Sequence, residues 1–233
     1  MQSVQGRDVL THPRTLPTLL ALILIVFVIW MRDPTLDLRL SAAFYENGHF
    51  VGAEAGLVQM LRAQFWNLSL GLAWLSLGAV LAAYILRRDI FGVRRRDWNI
   101  ILWGFLLGPG LLVNGILKTY SGRARPRDVL QFGGDHFFTP IGQIANQCLR
   151  DCSFVSGEVS GITAACLGMW MILSAHRQRF SHEVEVMARC GILAIFAFVF
   201  WQRVASGGHF ASDALLAALF TALITVILHR VWP

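Results

Sequence analysis

The chain has 233 residues, 55% of them hydrophobic and only 15% charged, with a mean hydropathy of +0.56. Soluble domains carry about a quarter charged residues, so this composition excludes an ordinary water-soluble enzyme and makes the bilayer the natural solvent. The formal net charge of +6 lies in short clusters between apolar spans, with no stacking platform or groove-reading motif, which argues against nucleic acid as a partner.

Six segments approach the roughly 20 apolar residues that a membrane-spanning helix needs. In chain order they cover 16–31, 67–86, 98–117, 159–175, 190–205 and 210–231. The first resembles a signal peptide in position, but Trp30, Met31, Arg32 and Asp33 follow it instead of a small-residue cleavage site, so it reads as a retained span. Before the second span, residues 52–66 mix Leu57, Met60, Leu61 and Phe65 with Glu54, Gln59, Arg62 and Gln64. That mixture predicts either an amphipathic helix lying on the membrane to admit a lipid, or a plain amphipathic cover. No repeat or long polar linker divides the chain. The expected architecture is an all-α, polytopic six-transmembrane-helix bundle forming one domain over 1–233, with its chemistry within 118–213.

Basic residues set the expected orientation. Arg7 and Arg14 precede the first span, Arg87, Arg88, Arg94, Arg95 and Arg96 fill the link between spans two and three, Arg177, Arg179 and Arg189 lie between spans four and five, and Arg230 ends the last. By the positive-inside rule these positions and both termini are cytoplasmic. The first outer loop, 32–66, balances its basic residues with Asp33, Asp37, Glu46 and Glu54. The second, from about 118 to 158, instead carries Lys118, Arg123, Arg125, Arg127 and Arg150 on the side where cations are not needed for topology. The same loop holds Cys148 and Cys152, which an oxidising compartment would let pair, although spacing alone does not decide it. Cys166 and Cys190 read as small packing residues in or beside spans.

Three polar clusters converge at the outer ends of the last four spans: Lys118 with Arg125-Pro126, then Ser153 through Ser156-Gly157-Glu158, then Arg203, His209 and Asp213. A transferring phosphoryl group spreads negative charge over its oxygens and needs fixed cations and backbone donors around it. Lys118, Arg125 and Arg203 supply the charge. Ser156 and Gly157 stand where the fourth span begins, and a helix N-terminus offers N–H groups to an anion. His209 follows the Ser206-Gly207-Gly208 turn. Asp213, four residues on, is placed to accept a hydrogen bond from one imidazole nitrogen and leave the other as nucleophile.

These motifs resemble those of the type 2 phosphatidic acid phosphatase superfamily: lysine, six residues, Arg-Pro; Pro-Ser-Gly-His; Ser-Arg, five residues, histidine, three residues, aspartate. The first part stands at Lys118, Arg125 and Pro126, and the third at Arg203, His209 and Asp213, with Gln202 in place of serine. The resemblance covers about the C-terminal half. It implies six spans, a nucleophilic His209 oriented by Asp213, a phosphohistidine intermediate, and phosphate held by Lys118, Arg125, Ser156, Gly157 and Arg203, with no metal or other cofactor. The second part departs, because Val155 replaces proline and Glu158 replaces the histidine that protonates the leaving group. Glu158 is the candidate general acid if it stays protonated, or a carboxylate that merely pairs with a cation; His136 is the substitute acid.

Arg123 and Arg127 are expected to be solvated or headgroup-facing, and His49, His136, His176, His182 and His229 to be ordinary loop or interface residues. The loop from Arg125 to Gly134 looks like loops of bacterial relatives acting on lipid A. The expected function is therefore hydrolysis of a lipid phosphomonoester at the outer face of a bacterial inner membrane, with lipid and bilayer as the only partners. Undecaprenyl pyrophosphate, phosphatidylglycerophosphate and phosphatidate remain alternative substrates, phosphate transfer to another lipid an alternative reaction, and lipid binding or transport the non-enzymatic alternative.

Overall fold

The computed structural model describes Leu10, residues 12–53 and residues 56–232; Arg7 and Glu54, invoked above for orientation, lie outside the described residues. Among the described residues, apart from short 3-10 turns, seven helices follow one another: α1 (Thr15–Arg32), α2 (Leu36–Ala42), α3 (Leu57–Leu86), α4 (Arg95–Tyr120), α5 (Gly157–Ala175), α6 (His182–Ala205) and α7 (Ala211–Val231). All but α2 are long and apolar enough to cross a membrane, so the chain forms the all-α polytopic bundle its hydropathy predicts. Among the described residues, the only sheet is a small hairpin of β1 (Tyr45–Glu46) and β2 (His49–Phe50). Asn47 and Gly48 turn it with φ of 51° and 84°, the left-handed pair that a tight hairpin requires.

Two helices start earlier than their apolar runs. α3 begins at Leu57, so residues 57–66 continue the span upward instead of lying apart on the membrane surface. Gln59, Arg62 and Gln64 lower the local hydropathy without interrupting the helical period. Thirty residues at about 1.5 Å each run to roughly 45 Å, well beyond a hydrocarbon core of about 30 Å, so the first turns stand clear of it. α6 likewise starts at His182, capped by the Ser181 hydroxyl accepting the Val184 N–H at 3.5 Å. α4 changes winding within itself: α-helical to Phe105, π-wound over Leu106–Leu117, and α again to Tyr120. Pro109, inside the wide stretch, has no N–H to give the ladder, and its carbonyl accepts from Asn114 Nδ2 at 2.6 Å.

α5 and α7 form the centre: 56% of the apolar window of each is buried, against 11% for α1 and 17% for α6. Lipid offers no hydrophobic drive between helices, so close packing and interhelical hydrogen bonds hold such bundles. Gly161 of α5 packs on Ser69 and Trp66, and Gly168 on Ile101 and Leu72. The hydroxyls of Ser160 and Thr221 meet across α5 and α7 at 2.7 Å. Leu24, Trp74, Ile85 and Leu193 face outward, where acyl chains cover them. Cys166 is buried as expected of a packing residue, whereas Cys190 is exposed on α6. Cys148 and Cys152 form a disulfide in the long loop after α4.

The two ends of the bundle differ. At one, the Arg96 guanidinium donates to the carbonyls of His229 at 2.5 Å and Trp232 at 3.0 Å, and Gly92 lies against His176 and Arg179. The arginine-rich links thus share one face. At the other, Arg123 is 1% exposed, which corrects the expectation of a solvated side chain. Its guanidinium lies between Asp37 of α2 at 2.8 Å and Asp213 of α7 at 2.5 Å, and donates also to the Thr139 carbonyl at 2.8 Å and the Ser212 hydroxyl at 3.1 Å. Burial works against its charge, but Asp213 and Asp37 outweigh it and raise its pKa. Asp37 in turn accepts the Ser212 N–H at 3.0 Å and hydroxyl at 2.5 Å.

Removing one partner of a buried pair leaves the other charge uncompensated, so Asp37→Ala should destabilise the protein in detergent by about 3–5 kcal/mol. Asp33→Ala, which removes the carboxylate of an exposed pair with Arg39, should cost less than about 1 kcal/mol. Denaturant unfolding followed by tryptophan fluorescence measures both. Equal effects would mean that the buried cluster does not hold this end together.

Candidate active site

A cavity of about 410 Å³ opens at the end carrying Arg123 and is lined by Ala53, Gln59, Arg62, Lys118, Arg125, Arg127, Glu158, Arg203, Ser206 and His209. Of the residues expected from the motifs, Lys118, Arg125, Glu158, Arg203 and His209 reach it together. Ser156, Gly157 and Asp213 lie behind its wall.

His209 is placed by a tight turn after α6. Gly207 adopts φ +62°, its carbonyl accepts the Arg127 N–H at 3.1 Å, and the His209 N–H donates to the Arg203 carbonyl at 3.1 Å. The imidazole is 2% exposed, and its Nδ1 lies 2.7 Å from the Ser153 carbonyl. A carbonyl only accepts, so Nδ1 carries the proton and Nε2 is the nitrogen left for the cavity. Burial first, and then the charges of Arg203, Arg125 and Lys118, push the pKa of His209 well below the usual histidine value. Burial thus favours the neutral ring, the form that a nitrogen nucleophile requires.

No hydrogen bond joins the Asp213 carboxylate to the His209 ring among the described residues, although the four-residue spacing suggested one. α7 begins only at Ala211, so His209 lies ahead of the helix and the two side chains do not share a helical face. The Asp213 carboxylate accepts from Arg123, from the Ser153 hydroxyl at 2.5 Å and from the Phe210 N–H at 3.1 Å. It acts on the imidazole at one remove: Ser153 gives its hydroxyl to Asp213 and its carbonyl to His209.

Ser156 serves the start of α5. Its hydroxyl caps α5, accepting the Val159 N–H at 3.3 Å, and its own N–H meets the Asp213 carbonyl oxygen at 3.3 Å. Gly157 opens α5, where the first N–H groups have no intrahelical partner. A Cβ there would stand 3.0 Å from Asn114 Oδ1 and 3.4 Å from Lys118 Nζ, so glycine lets the lysine approach the helix start.

Glu158 lies in a fork. Both its oxygens accept from Arg62, Oε2 from Nε at 2.8 Å and Oε1 from Nη2, and Arg203 Nη1 stands 3.4 Å away. Both oxygens of the Glu158 carboxylate are thus engaged as acceptors for one guanidinium. His136, the substitute, stays out of the cavity beside Asp135 at 3.5 Å. Arg203 is 5% exposed and its Nε has no hydrogen-bond partner among the described residues. A buried orphan donor in a cationic cavity marks where an anion's oxygen belongs. Arg125 donates twice to the Asp151 carbonyl, from Nη2 at 2.6 Å and from Nε at 3.1 Å, which leaves both Nη1 donors outside that contact.

Gln59, Arg62 and Arg127 were not expected here. Arg127 is exposed, as a solvated or headgroup-facing side chain is expected to be, and it also lines the cavity; Arg62 sits 96 residues before the carboxylate it holds, with no local pattern to link them.

Residues 97–233 match the PAP2 superfamily. The chain belongs to this superfamily. It is thus a membrane-embedded phosphatase, and the PAP2 match begins inside α4, so α2 with Asp37 and α3 with Gln59 and Arg62 precede it. Three similar proteins carry the name lipid A 4'-phosphatase. That of Francisella tularensis subsp. novicida is 28% identical over 218 residues, covering 87% of this chain and 89% of its own. Those of Rhizobium etli and Rhizobium leguminosarum are 31% and 30% identical over 178 residues, covering 76% of this chain and 66% and 73% of theirs. No solved structure matches this PAP2 protein.

If Glu158 positions Arg62 and Arg203, Glu158→Gln should slow a lipid phosphate and an aryl phosphate alike, by about 10–100-fold, as expected when one anion-stabilising group is misplaced. The pH–rate profile should keep its shape. A loss confined to the poor leaving group, with the alkaline limb removed, would instead make Glu158 the proton donor.

Proposed function

We propose that this PAP2 protein hydrolyses a phosphate monoester of a lipid A-type phosphoglycolipid through a phosphohistidine on His209. The reading rests chiefly on a neutral imidazole, tied through Nδ1 to Ser153, facing a cavity with five cationic side chains and one carboxylate. A phosphate monoester brings a charge of about −2, so the cavity retains positive charge for further anionic groups on the substrate.

His209 Nε2 attacks phosphorus, and the bond from phosphorus to the lipid oxygen breaks. Lys118, Arg125 and Arg203 hold the equatorial oxygens as charge shifts to them. Glu158 keeps Arg62 and Arg203 aligned, and the departing alkoxide takes its proton from water in the open cavity. A second water then displaces phosphate from the imidazole, returning the neutral ring. The arginine-rich end faces the cytoplasm, together with both termini, and the cavity opens on the outer side of a bacterial inner membrane.

Purified protein should release phosphate from lipid A faster than from undecaprenyl pyrophosphate, phosphatidylglycerophosphate or phosphatidate, and should keep its activity in EDTA, because side-chain cations supply the charge stabilisation. His209→Ala should lower the rate by at least ~10³-fold while leaving the fold intact. Substantial turnover in that variant, or a loss in EDTA restored by one metal, would contradict the mechanism. Preference for another lipid would contradict the substrate.

A further inference from the structure

A concavity at the opposite end of the bundle plays no part in this chemistry. It measures about 760 Å³ and lies where the end of α3, the start of α4 and the residue after α7 meet. α7 separates it from His209 by roughly 30 Å, at about 1.5 Å per residue over 21 residues.

Its walls carry five arginines and one carboxylate, Asp89. Positive-inside topology accounts for basic residues in this link, but not for their gathering around a cleft. Two of them serve the fold: Arg94 pairs with Asp97 at 3.0 Å, and Arg96 holds the carbonyls of His229 and Trp232 at the end of α7. Arg95 lies over the Tyr84 ring at 4.9 Å. Arg87 and Arg88 have no ion-pair partner among the described residues, although both line the cleft. Beside them the surface turns apolar, with Ile85 78% and Phe91 70% exposed, and Trp232 closes the far wall. Unpaired guanidinium forks next to exposed apolar side chains and interfacial aromatics suit one chemistry, a phosphate joined to acyl chains.

We propose that this cleft binds the headgroup phosphate of an anionic glycerophospholipid in the leaflet opposite the catalytic cavity, with Arg87 and Arg88 as its principal ligands. The site is independent of turnover.

The test uses the full chain in phosphatidylcholine nanodiscs titrated with phosphatidylglycerol, with bound lipid counted by native mass spectrometry after release into detergent. Wild-type protein should retain phosphatidylglycerol in preference to phosphatidylcholine. Arg87→Gln/Arg88→Gln should weaken that retention about 30-fold, from about five-fold per arginine, and Arg88→Gln alone about five-fold. Phosphate release from a short-chain lipid phosphate, measured on the same preparations, should be unchanged and so certifies the fold. Excess inorganic phosphate should not displace the lipid, because it lacks the chains that meet Ile85 and Phe91. Equal retention of the two lipids, retention that survives in the double variant, or displacement by inorganic phosphate would each overturn the proposal.

Discussion

A guanidinium between two carboxylates, all three out of water, organises the catalytic end of this protein. Arg123, Asp37 and Asp213 are each at most 1% exposed. Taking such charges from water costs several kcal/mol per ion, and their mutual attraction repays it only when the remaining donors and acceptors are also satisfied. Here they are, by Ser153, Ser212, Thr139 and the Phe210 N–H, while the Phe210 ring lies 4.4 Å under the guanidinium. Such a cluster contributes specificity more than net stability. It joins α2, the loop after α4 and the start of α7 in one register.

The register has a chemical consequence. Asp213 fixes the Ser153 hydroxyl, and the Ser153 carbonyl fixes the His209 ring, so the tautomer of His209 depends on a buried charge that never touches it. The arrangement separates two tasks among neighbouring arginines. Arg123 turns inward, where each of its three nitrogens donates, whereas Arg125 and Arg127 face the cavity, and Arg203 keeps its Nε unmet among the described residues. Glu158 stands between the two groups. A carboxylate inside an anion site lowers its net charge, yet without it Arg62 and Arg203 would repel each other and lose their common aim.

Much of this was legible in the amino-acid sequence, and the failures have physical causes. Spans are legible because hydropathy acts over twenty residues at once, and the site's cations because their number exceeds what topology needs. The burial of Arg123 was not, because its partner Asp37 lies 86 residues away and is unremarkable where it stands. The contact between His209 and Ser153 uses a carbonyl, which every residue has and no sequence marks. The pairing of His209 with Asp213 assumed a helix that starts two residues too late for it. Arg62 was hidden because a helix can outrun its membrane span, and hydropathy reports only the apolar part.

The position of the phosphate on the intermediate tests this account most directly. Protein mixed with a lipid phosphate, quenched in alkali within the first turnover and examined by ³¹P NMR and peptide mass spectrometry, should carry acid-labile phosphate on Nε2 of His209. Phosphate on Nδ1 would mean that the hydrogen bond to Ser153 does not set the tautomer. Phosphate on another residue, or none on the protein, would mean that the buried cluster positions something other than the nucleophile.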